Sequence, residues 1–376
     1  MNILFMVSWY FSIAEKNPVP SFHTEQALEL SKHCNIAIYY PYERKIDVPF
    51  CKNTELGLVT YRSKYKLEDK LKNRIYMFRA MKRIVKEFKP DIIHGHVGTE
   101  AGRFAVMLGR LFRIPVMLTE HSSADLSGVR SFPHKQYAWA SYGGSRYNAC
   151  VSDKLTSDLS GIFKHYRFHT IYNGIIVPED IPKDTNYRVD GVTNMVLVAS
   201  MYDRDIKGIP TLIPVLKRIK DDGTKFAMHF VGDGRFREEF EKMASEYDIA
   251  DMCIFHGKKM RAEVFSIVSQ MDFLLSMSRF ESFGCTMAEA VLVGTPVLAS
   301  NSGGSASIVN EENGILLKEY SSEAIYQGIK EMLLSYRDYN RDAISRNAKE
   351  RFDIKVITEK YLEIYREILA FPRKKL

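Results

Sequence analysis

Residues 273–300 read FLLSMSRFESFGCTMAEAVLVGTPVLAS and hold a strand, a loop, a helix and a second strand in that order. The apolar run at 273–278 predicts a buried strand, and Gly284 predicts the tight turn that opens a helix. Gly294 and Pro296 mark the end of that helix, because glycine favours a helix C-terminus and proline cannot continue one. A strand–helix–strand unit of this length is the building block of a parallel sheet.

The same alternation runs along the whole chain, with short apolar runs bounded by turn residues and separated by segments of helical periodicity. Strands are predicted at 2–9, 35–41, 57–62, 91–96, 116–121, 147–152, 169–173, 195–200, 226–231, 252–255, 273–278, 296–300 and 315–318. Helices are predicted between them, for example at 24–33, 71–88, 99–112, 211–220, 235–247, 261–269 and 286–293. This order predicts an α/β fold of parallel sheets with helices on both faces.

The length of the chain, 376 residues, is sufficient for two domains. Residues 173–194, NGIIVPEDIPKDTNYRVDGVTN, are rich in Pro, Gly, Asn and Asp and lack periodicity, which indicates a linker. We predict a Rossmann-like domain at 1–175, a second at 176–355, and a C-terminal helix at 356–376 that can pack back on the first domain. Ligands bind at the carboxyl ends of strands in such sheets, so two domains facing each other predict a ligand cleft between them.

The composition is that of a globular protein, with 45% apolar and 26% charged residues. No run approaches the ~18 apolar residues of a membrane span. The apolar N-terminus, MNILFMVSWYF, has neither a basic region nor a small-residue cleavage site, so it predicts a first strand rather than a signal peptide. The five cysteines are scattered and form no CxxC pair, which argues against disulfides and a zinc site and favours the cytoplasm.

Positive charge is concentrated in residues 62–89, which hold about eleven Lys and Arg against three acidic residues, with aromatic residues interleaved. One interpretation is a solvated helix face. Another is a surface that makes peripheral contact with the inner face of an anionic membrane, or that binds an anionic acceptor. Nucleic acid is not expected as a partner, because no recognised binding motif accompanies the charge.

Two glutamates in the first quoted stretch, Glu281 and Glu289, have seven residues between them and lie on either side of a predicted helix start near Cys285 and Thr286. The free N–H groups of a helix start, together with the helix dipole, form a site for a diphosphate. Carboxylates would repel that anion, so both are expected to point elsewhere, and sugar hydroxyls are partners whose hydrogen bonds they can accept. A chance pair of surface glutamates is the alternative.

This segment resembles the C-terminal domain of glycosyltransferase family 4, whose members have the GT-B fold of two Rossmann-like domains across a cleft. The resemblance rests on the spacing of Glu281 and Glu289, on Gly294-Thr-Pro-Val and on Gly303-Gly304. It covers nearly the whole second half of the chain and is mostly architectural in the first. It implies that the first glutamate contacts the donor sugar near the reacting carbon and that the second binds the ribose. The donor site then also includes Phe283, Gly284, Cys285 and Thr286.

A second loop, between a predicted strand and a predicted helix, contains Arg204, Lys207 and Gly208. A leaving diphosphate gains negative charge, and preorganised cations stabilise it. The resemblance implies an Arg and a Lys here that hold the diphosphate, and Lys207-Gly208 fits that pattern. Met201 or Tyr202 stands in the place of the usual Arg, so Arg204 is a candidate substitute. A solvated loop lysine is the alternative for Lys207.

Further donor contacts are predicted at two other strand ends. Gly232 and Gly234 follow a strand and would let the backbone approach a ligand. The resemblance implies that the backbone near Lys259 meets the nucleobase. Asp203-Arg-Asp205 has the Asp-x-Asp pattern of metal-binding glycosyltransferases, but a GT-B enzyme needs no metal, because cationic side chains and a helix end replace it. We therefore expect no divalent metal and no cofactor besides the nucleotide sugar.

In the first half, His121 ends a predicted strand, and the resemblance implies that it faces the donor sugar across the cleft. A capping role is the alternative. His94 and His96 end an earlier strand, where a structural role is favoured over a metal pair because no third ligand is evident. Residues 14–22, AEKNPVPSF, lack the Gly-Gly of many relatives, and Ser307 stands where relatives commonly have Glu. The first departure weakens any transfer of acceptor geometry from the family, and the second is smaller.

Together these residues predict a retaining glycosyltransferase that moves a hexose-type sugar from a UDP-, GDP- or ADP-sugar to a hydroxyl of a glycan or lipid-linked acceptor. Orientation and electrostatic stabilisation by Glu281, His121 and Lys207 would supply the catalysis, with no protein nucleophile. The resemblance implies a place in bacterial surface polysaccharide or glycolipid assembly. A nucleotide-sugar epimerase on the same fold and a non-catalytic, membrane-associated binding module are the alternatives.

Overall fold

The computed structural model describes residues 1–11, 13, 21–122, 129–182 and 184–370. Contacts divide the chain into two compact units, Met1–Gly174 with the segment from Ile354 onward, and Ile175–Asp353. The chain passes into the second unit at the start of the segment that the sequence indicates as a linker. It returns to the first unit through its last helix.

The first unit is an α/β unit whose strands are β1 Asn2–Met6, β2 Asn35–Glu43, β3 Phe50–Glu55, β4 Leu58–Lys64, β5 Ile92–His96, β6 Val116–Glu120, β7 Tyr147–Cys150 and β8 His169–Thr170. Within the described residues they form one sheet in the order β3-β4-β2-β1-β5-β6-β7-β8. Its neighbouring strands are parallel except for β3 and β4, which form an antiparallel pair. Its helices are α1 Phe22–Ser31, α2 Lys70–Glu87, α3 Ala101–Phe112, α4 His134–Gly144 and α5 Asp153–Ile162.

The second unit contains the parallel strands β9 Thr193–Val198, β10 Phe226–Val231, β11 Cys253–Phe255, β12 Phe273–Ser276, β13 Val297–Ser300 and β14 Gly314–Leu317. Their order in the described sheet is β11-β10-β9-β12-β13-β14, so the direction of winding reverses between β9 and β12. The helices are α6 Ile209–Asp221, α7 Arg237–Glu246, α8 Arg261–Gln270, α9 Cys285–Leu292, α10 Ser322–Ser335 and α11 Arg341–Phe352.

The last helix, α12 Ile354–Ala370, belongs to the first unit. Its apolar and aromatic face is buried against α1 and the sheet, with Tyr361 and Tyr365 almost completely inaccessible. The Tyr365 hydroxyl lies 2.7 Å from Nδ1 of His94 on β5, which joins this helix to the centre of the first sheet. No helix of the described residues combines the length and the apolar character that a membrane span requires.

Local signals account for the helix that carries most of the basic stretch. The carboxylate of Asp69 accepts a hydrogen bond from the Lys72 N–H at 3.0 Å and so caps the start of α2. Its buried side chains follow a spacing of three and four residues, as one face of a helix does, and they are Asn73, Met77, Ala80, Met81 and Ile84. The remaining face carries the charged residues together with the exposed side chains of Leu71, Ile75 and Phe78.

The predicted α/β fold with two parallel-sheet domains is confirmed, and each predicted strand corresponds to a strand of the structure. Strand β3 was missed. Its sequence, FCKNTE, has no apolar run, because β3 is an edge strand whose burial is only partial.

Candidate active site

The central feature of the second unit is an ion pair between Lys207 and Glu281. The Lys207 Nζ lies 2.6 Å from Glu281 Oε1, and both side chains are largely buried, with 29% and 17% of their surfaces exposed. Lys207 follows β9 and Glu281 follows β12, the two neighbouring strands between which the sheet reverses its winding. Ligands of open α/β sheets bind at the carboxyl ends of strands at such a reversal. The pair therefore occupies the position where the fold itself favours a site.

A backbone contact sets the position of Lys207. Gly208 precedes α6 with a φ of +70°, and a Cβ at this residue would lie only 1.9 Å from the Met277 carbonyl oxygen. The Arg279 N–H donates a hydrogen bond to the Ile206 carbonyl at 2.8 Å. The lysine loop thus lies directly against the backbone that leaves β12, and that backbone continues to the glutamate.

The backbone of Glu281 is held from its other side by the segment that follows β13. The Glu281 N–H donates to the Ser302 carbonyl at 2.9 Å, and the Gly304 N–H donates to the Glu281 carbonyl at 2.8 Å. A Cβ on Gly304 would meet the Phe283 backbone at 2.5 Å. The Gly303-Gly304 pair therefore allows two chain segments to lie in direct backbone contact beside the carboxylate.

Helix α9 begins at Cys285, four residues after this glutamate. Gly284 precedes it with a φ of +104° and, as a glycine, has no side chain to cap the helix start. The first-turn N–H groups of a helix, here those at Cys285 and Thr286, have no intrahelical acceptor and carry the positive end of the helix dipole. Phe283 is buried, and its ring lies 5.8 Å from that of Phe352, so the ring belongs to the packed interior of the second unit.

Glu289 lies one turn further along α9. Its Oε1 is 3.2 Å from Nη2 of Arg261, the first residue of α8. Sequence reasoning missed this arginine, whose only local signal is that it begins a helix. The pair holds the Glu289 carboxylate beside a second cation.

Arg204 is placed differently from Lys207. Its guanidinium is exposed and contacts two carboxylates, Glu239 at 2.5 Å and Asp205 at 3.2 Å, which raise its pKa. The first aspartate of the Asp-x-Asp pattern, Asp203, accepts hydrogen bonds from the N–H groups of Asp205 and Ile206, and these lower its pKa. Asp203 therefore shapes the loop. The described residues contain no group of three His, Cys, Asp or Glu side chains arranged to hold a metal ion.

The remaining predicted donor residues lie on neighbouring turns of the same unit. Gly232 and Gly234 have positive φ and lie against the backbone that follows β9, where a Cβ on Gly232 would come within 1.8 Å of the Ala199 carbonyl oxygen. Lys259 follows β11, and its ammonium lies 3.5 Å from the Glu263 carboxylate in the first turn of α8.

His121 belongs to the first unit and lies in a buried stack of histidines. Its Nε2 is 2.9 Å from Nδ1 of His96, and the two rings are nearly parallel at 5.1 Å. His94 is bonded at both nitrogens, by Tyr365 and by Thr119, and so has a structural role. In the described part of the chain, His121 Nδ1 and His96 Nε2 are buried without a hydrogen-bond partner. Burial lowers the pKa of all three imidazoles well below the usual value, so they are neutral at pH 7.

The predicted site residues are thus grouped within each unit. The structure joins Lys207 to Glu281, and Glu281 to the start of α9, through direct contacts. In the same unit Glu289 forms an ion pair with Arg261, and Arg204 forms one with Glu239. Residues 14–20 of the loop whose sequence departs from the family lie outside the described residues.

Two family models match consecutive parts of the chain. Glycosyltransferase Family 4 matches residues 38–177, and Glycosyl transferases group 1 matches residues 184–351. The chain is a family 4, group 1 glycosyltransferase. Membership in this family of transferases decides against the two alternatives that the sequence left open, an epimerase and a non-catalytic binding module.

Individual relatives and solved structures support this family assignment. An uncharacterised glycosyltransferase of Methanocaldococcus jannaschii is 27% identical over 338 residues, which cover 84% of this chain and 91% of the relative. The alpha-monoglucosyldiacylglycerol synthase of Streptococcus pneumoniae is 22% identical over 303 residues, covering 74% and 68%. The structure of Anabaena HepE in complex with UDP has a TM-score of 0.76 at 16% identity and covers 98% of this chain and 100% of its own. That likeness confirms the GT-B fold class.

Replacement of Gly208 by alanine should displace the lysine loop of this glycosyltransferase. Alanine at a φ of +70° costs about 1 kcal/mol, and the clash with the Met277 carbonyl adds to that cost because backbone must move. Gly223→Ala is the matched control, since its φ is +83° and nothing lies within 4 Å. Denaturant unfolding and hydrogen exchange of residues 203–209 should show the larger loss for Gly208→Ala. Equal effects of the two changes would mean that the Met277 contact does not hold the loop.

The buried histidines should make the first unit sensitive to acid. Burial lowers the pKa of His23 and His94 to about 3, against 6.5 when unfolded. Between these values the unfolded chain binds more protons, so the free energy of unfolding falls as the pH drops from 6.5 toward 3, by up to about 1.4 kcal/mol per pH unit and histidine.

Fluorescence of Trp9 and Trp139, both in the first unit, reports its unfolding by urea at each pH. His94→Gln should reduce the slope of unfolding free energy against pH, whereas the exposed His33→Gln should leave it unchanged. The same slope in wild type and His94→Gln would contradict the assignment of His94 as a buried neutral base.

Proposed function

We propose that this glycosyltransferase moves a sugar from a nucleoside-diphosphate sugar to an acceptor hydroxyl with retention of the anomeric configuration. The observation that carries the proposal is the Lys207–Glu281 pair immediately before the start of α9. A cation and a helix N-terminus suit a diphosphate, and a carboxylate suits sugar hydroxyls.

Binding of the donor would separate the two partners of this ion pair. The diphosphate, with its higher charge, would draw Lys207 toward itself, and Glu281 would then accept hydrogen bonds from the sugar. His121, in the first unit, is proposed as the second group that orients the sugar. Its neutral imidazole can donate one hydrogen bond and accept another, and its Nδ1 has no partner within the described residues.

The nucleoside would be held along the same edge of the second sheet. Glu289, supported by Arg261, would accept the ribose hydroxyls, and the backbone near Lys259 would meet the base. Gly232 and Gly234 would border the diphosphate. Arg204 is proposed as the second cation, which requires that its exposed contact with Glu239 be exchanged for the phosphate; exposed ion pairs cost little to break.

In the proposed reaction the acceptor oxygen bonds to the anomeric carbon while the bond from that carbon to the diphosphate oxygen breaks. The proton of the acceptor passes to the leaving diphosphate on the same face of the sugar, which preserves the configuration. Lys207 and the first turn of α9 stabilise the charge that develops on the diphosphate. No metal ion and no protein nucleophile are assigned a step.

The proposed donor is a UDP-sugar, because the Anabaena structure of the same fold contains UDP. The proposed setting is the assembly of a surface polysaccharide or glycolipid, in line with the relative named as an alpha-monoglucosyldiacylglycerol synthase. The proposed acceptor is a glycan or a lipid-linked sugar.

Thermal shifts with UDP-, GDP- and ADP-glucose test the donor assignment. A ligand at one hundred times its Kd stabilises the folded protein by about 2.7 kcal/mol, and the UDP-sugar should give this shift. Lys207→Met should weaken UDP binding at least ~tenfold, since a hydrogen bond to a charged group contributes about 1.5–3 kcal/mol. Glu281→Gln should retain UDP binding but lower kcat by at least ~100-fold.

Arg204→Gln and Lys242→Met complete this series. Lys242 is an exposed lysine on α7 that pairs only with Glu246 in the described structure, so its loss should change nothing. Arg204→Gln should weaken UDP binding, by less than Lys207→Met. Wild-type affinity for UDP in the Lys207→Met protein would refute the diphosphate site, and NMR detection of a product of inverted configuration would refute retention.

Peripheral contact with an anionic membrane is proposed for the outward face of α2. Leu71, Ile75 and Phe78 are spaced by four and three residues and are 70%, 39% and 40% exposed. Lysines and arginines flank this stripe on the same helix. Exposed apolar side chains between cations fit the surface of an anionic bilayer.

Sedimentation with phospholipid vesicles tests this contact. The wild-type protein should bind vesicles that contain phosphatidylglycerol in preference to pure phosphatidylcholine. The double change Leu71→Ser and Phe78→Ser should reduce that binding several-fold, because it removes apolar area from the stripe. Leu334→Ser is the control, since Leu334 is 86% exposed on α10 of the other unit. Equal binding of the wild-type protein to both kinds of vesicle would refute the proposal.

A further inference from the structure

A cavity of about 790 Å³ lies entirely within the first unit. Its lining includes Ser8, just after β1, and Thr99 and Glu100, just after β5. These two strands are neighbours, and the winding of the first sheet reverses between them. The cavity therefore occupies the position at which an open α/β sheet binds ligands, and its volume is that of a small-molecule site. It shares no residue with the proposed donor site.

One wall of the cavity is aromatic. The rings of Tyr42 and Tyr65 meet edge to face at 5.3 Å, and Tyr40 lies 6.0 Å from Tyr42. Burial and the nearby Glu100 carboxylate raise the pKa of Tyr42, so its hydroxyl stays protonated. Rings that carry hydroxyl groups offer a flat apolar face for the C–H side of a pyranose, together with partners for its hydroxyls.

The rest of the lining is strongly basic. Five cations line the cavity, namely Arg44, Lys45, Lys70, Arg74 and Arg103, and none of them forms an ion pair within the described part of the chain. Two carboxylates share the lining, Glu43 and Glu100. Glu43 is paired at 2.5 Å with Arg62, which also pairs with Glu55, so its charge is offset only in part. The cavity lining thus carries five cations against two carboxylates, an excess of positive charge.

Arg103 is held in place before any ligand binds. Its guanidinium carbon lies 3.6 Å from the centre of the Tyr137 ring, which fixes the plane of the guanidinium by stacking. A stacked arginine keeps its N–H groups at the edge, where they can bind a carboxylate or phosphate with two parallel hydrogen bonds.

We propose that this cavity binds the acceptor and that the acceptor is an acidic sugar, a pyranose that bears a carboxylate or a phosphate. The proposal rests on the proposed function, which requires an acceptor. The ring stacks on the tyrosine wall, and the anionic group pairs with Arg74 and Arg103. One of its hydroxyl oxygens bonds to the anomeric carbon of the donor sugar, and its proton leaves with the diphosphate.

Saturation-transfer NMR and initial-rate assays with the full-length enzyme and UDP-glucose test the charge requirement. The probes are p-nitrophenyl β-glucuronide, p-nitrophenyl β-glucoside and glucose 6-phosphate. The wild-type enzyme should prefer an acidic probe to the neutral glucoside by at least ~tenfold in Kd or KM. Preference for the glucuronide alone would identify a carboxylate acceptor, and preference for the phosphate alone would identify a phosphorylated one.

Arg74→Gln and Arg103→Gln should each raise the KM for the acidic probe at least ~tenfold, while kcat and the thermal shift with UDP stay near wild type. Arg74→Lys should restore part of the affinity. Arg79→Gln is the matched control, because Arg79 lies on the same helix outside the cavity and should have no effect. The melting temperature without ligand identifies any variant that fails to fold, and Arg74, which is exposed, is the variant least subject to that failure.

Equal affinity of the wild-type enzyme for acidic and neutral probes would overturn the proposal, as would unchanged affinity in both cavity variants. Failure of the proposed donor function gives a different result. UDP would then produce no thermal shift and no sugar would be transferred, whereas the NMR preference for acidic sugars would still be lost in Arg74→Gln.

Discussion

The candidate donor site depends on one backbone contact, the approach of the loop before α6 to the chain that leaves β12. Because Gly208 has no side chain, its Cα can lie against the Met277 carbonyl, and the two strand ends run side by side. Lys207 and Glu281 then meet although 74 residues separate them in sequence. The charge pair is therefore set by the main chain, which is more rigid than two long side chains. A preorganised cation is what a leaving diphosphate requires.

The same construction recurs on the other side of Glu281. Gly304 lies against the Phe283 backbone, so the segment after β13 supports the turn that starts α9. The cation, the carboxylate and the helix start are consequently three parts of one backbone arrangement at the carboxyl edge of the second sheet. A change in either glycine would disturb all three, although neither glycine has a side chain that could touch a ligand.

Strand-end reasoning located Lys207 and Glu281 from the sequence because both follow apolar runs, and such runs are visible without a structure. The partners of the other charged residues were not visible. Glu289 pairs with Arg261 and Arg204 pairs with Glu239, and each pair joins separate elements. Strand β3 was missed because an edge strand of mixed polarity has no apolar signature. The basic cavity was missed as well, since its lining comes from several segments that only the folded first unit brings together.

The basic stretch at residues 62–89 shows that the number of charged residues in a segment does not reveal where those charges lie in the folded protein. Its first member, Arg62, is completely buried and binds Glu43, Glu55 and the Phe11 carbonyl. A buried guanidinium is tolerated only with such partners, because the loss of its hydration is costly. The pairing also has an effect beyond stability. It engages the Glu43 carboxylate, which also lines the cavity, and so offsets part of its negative charge. The positive character of the cavity thus arises from the five cations of its lining, which outnumber its two carboxylates, one of them already bound to a buried arginine.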